Sequence, residues 1–164
     1  MVGPVLICFD GSDDAAAAIA VAGEVLAPRA GVVLTVSEPV ASWTPSDPAT
    51  ILGAPLSRLA CEELNLDEVS QGVARELMQR GVELATAAGF QAEGRLEEGK
   101  VWRTIRRVAD ELDAEPIVLG ARGRGRVESM LLGSVSIAVI FHSVRPVLVV
   151  PYSGAGRPPP ADGQ

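Results

Sequence analysis

Four short runs, residues 5–9, 32–36, 116–120 and 146–150, are apolar at almost every position, and this uniformity constrains the fold more than any other feature of the chain. A strand with one face in water alternates apolar with polar residues. One that is apolar throughout must be covered on both faces, the condition of a parallel sheet flanked by helices. The segments between these runs have helical character. Residues 14–26 are dominated by Ala, with Ile19, Val21, Val25 and Leu26; Ser12 or Asp13 supplies an N-cap with acidic charge at the positive end of the helix dipole, and Pro28 and Gly31 end the helix.

From Asp67 to Ala88 a longer helix is expected, with Val69, Val73, Leu77, Val82 and Leu84 on its apolar side and Gly89 as its stop. Residues 91–97 alternate only weakly and read as a third strand at a sheet edge. The spacing of Val101, Ile105, Val108, Ala109 and Leu112 is helical again, and Gly133-Ser134 opens a last helix reaching about His142. Residues 38–55, rich in Pro, Ser and Thr, read as a long loop, and 56–66 as a short helix. The Gly- and Pro-rich residues 153–164 read as a disordered tail. The expectation is one α/β domain over residues 1–152: a five-stranded parallel sheet with helices on both faces, whose ligands sit beyond the carboxyl ends of the strands.

Composition narrows the function. At 164 residues and 48% apolar types the chain can bury one sizeable core. A formal net charge of −7 argues against non-specific binding to nucleic acid or an anionic membrane. Cys8, Cys61 and the single His142 build neither a disulfide framework nor a metal centre. The opening residues carry no positively charged leader, and no apolar stretch approaches the roughly 20 residues of a membrane span, so a soluble cytoplasmic protein is expected.

The segment 120–134 joins the fourth strand to the last helix and carries glycines at 120, 123, 125 and 133. Glycines let backbone N–H groups approach an anion with no Cβ in the way, and the unpaired amides at the start of the next helix point to the same place. Ser134 and Ser136 add hydroxyl donors. The plainer reading is that the glycines only make turns and Ser134 only caps a helix. A Walker loop is excluded because the only lysine is Lys100, and no dinucleotide fingerprint follows the first strand. Seven of the fourteen basic residues fall between Lys100 and Arg126, which places local positive charge in an acidic protein; Arg124 and Arg126 read as solvated, and Trp43 and Trp102 as packing residues.

The spacing Gly120, two residues, Gly123, nine residues, Gly133-Ser134 resembles the ATP-binding branch of the universal stress proteins, as do the opening residues 5–12 and the ending 145–150. The resemblance implies a Rossmann-like, adenine nucleotide alpha hydrolase-like fold that binds ATP, with which Mg²⁺ could ride. By resemblance Asp10 holds the ribose hydroxyls, Val36 meets adenine through its backbone, and Gly120, Gly123, Gly133, Ser134 and Val135 line the phosphates. Arg122 and Ser136 belong to the same candidate site. Members often carry His before the valine of the second strand, whereas this chain has Thr35. Asp10 before Gly11 is also an ordinary turn residue, and Val36 an ordinary core valine.

The resemblance further implies a homodimer assembled through the last strand and a regulatory protein partner. The expected function is a nucleotide-dependent switch in the stress response, not an enzyme. Two alternatives stand beside it: an interaction module of the same fold that binds no nucleotide, and a slow ATP hydrolase.

Overall fold

The computed structural model describes residues 3–38, 66–123 and 131–151. In chain order the elements are β1 (Val5–Cys8), α1 (Asp13–Leu26), β2 (Ala30–Ser37), α2 (Leu66–Ala87), β3 (Gln91–Glu98), α3 (Val101–Glu111), β4 (Ile117–Gly120), α4 (Ser134–His142) and β5 (Val147–Val150). The five strands form one sheet in the order β3-β2-β1-β4-β5, every neighbouring pair parallel. The short helix expected at 56–66, the loop before it and the tail lie outside the described residues.

The apolar runs divide between two cores because successive side chains leave a strand on opposite faces. Val5, Ile7, Val33, Val118 and Val150 pack with Ala15, Ala18, Ile19 and Ala22 of α1 and Ala85 of α2. Leu6, Val32, Leu34, Ile117 and Leu119 pack on the other face with Ile105, Val108 and Ala109 of α3 and Val139 of α4. Both faces are thus covered, and no strand position in β1 or β4 can be polar without leaving an unpaired group in a dry core.

Helix ends follow the residues that the sequence supplies. Ser12 caps α1, its hydroxyl accepting the Ala15 N–H at 3.2 Å. Gly89 adopts φ +96° just beyond α2, and the amides of Gly89 and Phe90 close onto the carbonyls of Thr86 and Ala85. Boundaries move by small steps from the sequence reading. β1 stops at Cys8, and β2 runs from Ala30 to Ser37 because β3 pairs with it over all eight residues.

β3 is an edge strand, as its weak alternation implies, and its Arg95 and Glu97 belong to an ion-pair network with Arg107 and Glu111 of α3. Among the described residues no helix is long and apolar enough to cross a membrane. The strand order reverses direction between β1 and β4: the chain builds outward through β2 and β3 on one side, then returns to add β4 and β5 on the other. Connections leaving the two central strands therefore diverge, opening a crevice at their carboxyl ends.

Candidate functional site

Asp10 leaves β1 directly at this crevice. One of its carboxylate oxygens, Oδ1, accepts the Ser12 N–H at 2.9 Å, while Gly11 turns the chain with φ +84°. The Phe9 N–H donates to the Leu34 carbonyl at 2.9 Å, and the Thr35 hydroxyl donates to the Phe9 carbonyl at 2.9 Å. Asp10 is thereby levelled with the carboxyl end of β2. Val36 lies there, half-buried, its side chain against the α3 and α4 core. Thr35, where the family often has His, has a structural task of its own: it ties β2 to the end of β1.

The end of β4 meets the start of α4 through three hydrogen bonds. The Gly133 N–H donates to the Ala121 carbonyl at 2.7 Å. The buried Ser136 hydroxyl shares its proton between the carbonyls of Gly120 at 2.9 Å and Ala121 at 3.2 Å. Ser136 is therefore turned onto the strand and not presented as a donor in the crevice. Ser134 is exposed in the first turn of α4 and Val135 half-buried behind it. The intrahelical bonds of α4 begin with the Ile137 N–H on the Gly133 carbonyl, so the amides of Ser134, Val135 and Ser136 precede them and lack helical acceptors.

The three motif glycines have different physical reasons. A Cβ on Gly120 would lie 2.6 Å from the amide nitrogen of Ala15 and from the Asp14 carbonyl carbon, so this glycine lets α1 close onto β4. A Cβ on Gly123 would lie 2.9 Å from Oδ2 of Asp10. A Cβ on Gly133 would meet nothing nearer than 3.4 Å and would sit 3.7 Å from the Gly123 nitrogen. The fold thus brings Asp10, Gly123 and Gly133 together across 123 positions of sequence difference, while leaving room at Gly133.

Arg122 stands between Gly120 and Gly123, with Oδ2 of Asp14 accepting both its backbone N–H at 3.1 Å and its Nε–H at 3.3 Å. Asp14 is 2% exposed. Sequence reasoning passed over it because an acidic residue in a first helical turn is accounted for by the dipole alone. Only the third dimension places it under the glycine loop.

Arg124, Arg126, Trp43 and Cys61 lie outside the described residues. Trp102 stacks on His142 with ring centroids 4.6 Å apart, and the Arg103 guanidinium lies 5.3 Å from its ring, so it serves the joint between α3 and α4. Burial, followed by the Asp10 charge, pushes the Cys8 thiol well above the ordinary thiol range. Among the described residues no His, Cys, Asp and Glu side chains are grouped to hold a metal ion.

Comparison with known proteins matches this architecture. The universal stress protein family model covers residues 1–151. A putative universal stress protein of Staphylococcus saprophyticus is 34% identical over 148 residues, spanning 89% of this chain and 81% of the relative. A universal stress protein from Archaeoglobus fulgidus, solved in complex with dAMP, superposes with a TM-score of 0.57 at 19% identity and covers 92% of this chain and 99% of its own. Another universal stress protein, solved in complex with cAMP, has a TM-score of 0.57 at 23% identity, with 92% and 98% covered. With the family model spanning every strand and helix described above, the chain belongs to the universal stress protein family.

Proposed function

We propose that the crevice between β1 and β4 binds an adenine nucleotide, ATP in the first instance, and that the protein works as a nucleotide-dependent switch in a stress response. The observation that carries this reading is the convergence of Asp10, Gly123, Gly133 and the first turn of α4 at one point, with space left where Gly133 has no side chain. Phosphates would be held by the amides of Gly123, Ser134 and Val135, by the exposed Ser134 hydroxyl and by Arg122. Asp10, an acceptor when ionised, suits the vicinal hydroxyls of a ribose. Val36 offers its backbone to the base. The cAMP and dAMP carried by two structural neighbours support an adenine nucleotide as the ligand class.

The reading is one of binding without a dedicated hydrolytic apparatus. Mg²⁺ would travel with the triphosphate, held by phosphate oxygens and water. The switch would then be the surface made by residues 120–134 with nucleotide in place, read by a regulatory protein partner. A homodimer fits the same reading: β5 is an edge strand, and beside it α4 and the turn after it expose Ile137, Ile140, Phe141 and Val144.

Mass spectrometry of small molecules released from gently purified protein tests the ligand directly, with an adenine nucleotide expected. ATP at about 100 times its dissociation constant should stabilise the fold by about 2.7 kcal/mol and raise the melting temperature by several degrees. No released nucleotide and no shift would favour a nucleotide-free interaction module. Turnover faster than about one equivalent per minute would favour a hydrolase.

A further inference from the structure

We propose that Asp14 is a resident competitor for the arginine of the glycine loop: it holds Arg122 until the phosphates of a nucleoside di- or triphosphate take the guanidinium from it. The inference rests on the nucleotide reading above and adds to it a device that grades ligands by phosphate number.

Asp14 is almost fully buried, a rare position for a carboxylate, and it lies in the first turn of α1 where helix amides favour negative charge. Its Oδ2 has two roles toward one residue. The 3.1 Å bond from the Arg122 N–H fixes the backbone of the loop just past β4. The 3.3 Å contact from Nε fixes the charge of the side chain. Ser12, the cap of the same helix, has its hydroxyl 3.5 Å from the Arg122 carbonyl oxygen, so the loop rests on the start of α1 from both sides of the peptide.

These two contacts differ in what they cost to exchange. The backbone bond can persist while the side chain turns. The Nε contact is long beside the roughly 2.7–2.9 Å of a strong charge-assisted bond, and a phosphate offers the guanidinium fork two parallel acceptors in place of one. A di- or triphosphate can supply that fork while its remaining oxygens stay on the amides of α4. A monophosphate must divide fewer oxygens and less charge between the same groups. Asp14 therefore imposes on every nucleotide a competition that ATP and ADP win more readily than AMP.

The test is an ATP and an AMP titration of wild type, Asp14→Asn, Arg122→Gln and the double variant. Asparagine keeps an oxygen for the Arg122 N–H and removes the charge. ATP should bind about five- to tenfold more tightly to Asp14→Asn, AMP should change by less than about twofold, and the gain should vanish in the Arg122→Gln background. A packing role alone would shift thermal stability and treat both nucleotides and both backgrounds alike. ATP affinity unchanged or weakened in Asp14→Asn overturns the competition and leaves the nucleotide site standing. Failure of wild type to bind either nucleotide overturns the site and the competition together. Should Asp14→Asn not fold, Arg122→Gln decides: ATP must weaken at least about fivefold more than AMP, and an equal loss overturns the proposal.

Discussion

The hydroxyl of Ser136 lies 2.9 Å from the carbonyl oxygen of Gly120, so the first turn of α4 is fastened to the strand that precedes it by a side chain 16 residues further along the chain. Ser136→Ala removes the donor and leaves two buried carbonyls with one partner fewer. Denaturant unfolding should show a loss of about 1–3 kcal/mol. An unchanged midpoint would mean that the helix start is held by its backbone alone.

The glycines at 120 and 133 should part company under the same substitution. Gly120→Ala drives a methyl group into the backbone of α1 and should cost about 1–3 kcal/mol or abolish folding. Gly133→Ala meets only ordinary contacts at φ −76° and should change stability by less than about 1 kcal/mol. Gly133→Val should also fold yet lose the ATP-dependent melting shift, because its side chain fills the space proposed for phosphate. A full shift in that variant would move the nucleotide elsewhere.

The four-membered network joining β3 to α3 makes a pH prediction. Hydrogen bonds from Arg107 and Arg95 hold the Glu97 carboxyl below the usual carboxylate range. A depressed folded-state value means stability that is present above the unfolded value and lost as pH falls through the folded one, within and below about pH 5 to 3. The pairs are largely solvent-exposed, so the contribution is small and weakened by salt. Glu97→Gln should lower the melting temperature at neutral pH and lose that difference near pH 3; a difference that persists in acid would assign the effect to packing.

Cys8 should be inert while the protein is folded. Its thiol is raised by burial and by the charge of Asp10, which leaves little thiolate at pH 8. In a Cys61→Ser background a colourimetric thiol reagent should react with one equivalent only after denaturant is added. Rapid labelling of the native protein would show that β1 opens locally.

How much of this was legible in the sequence follows from where each signal resides. Runs such as 147–150 announce buried strands because every position must be apolar, and Gly89 announces a helix end because the backbone there needs positive φ. The convergence of Asp10 with Gly123 was legible only through the family resemblance, since the strand order that unites them is not written in either segment. Asp14 was invisible for a different reason: its local context already explains an acid. Ser136 looked like a second phosphate donor by spacing, and the sequence could not disclose that its hydroxyl turns inward to β4.

The two margins of the sheet differ in character. Along β3, Glu93, Arg95 and Glu97 carry charge, whereas β5 is Val-Leu-Val-Val beside the bare hydrophobes of α4. If copies meet β5 to β5, the sticky border is consumed at once and both outward borders of the pair are charged. Growth then halts at two, and a protein that accumulates under duress is spared from zipping into fibres.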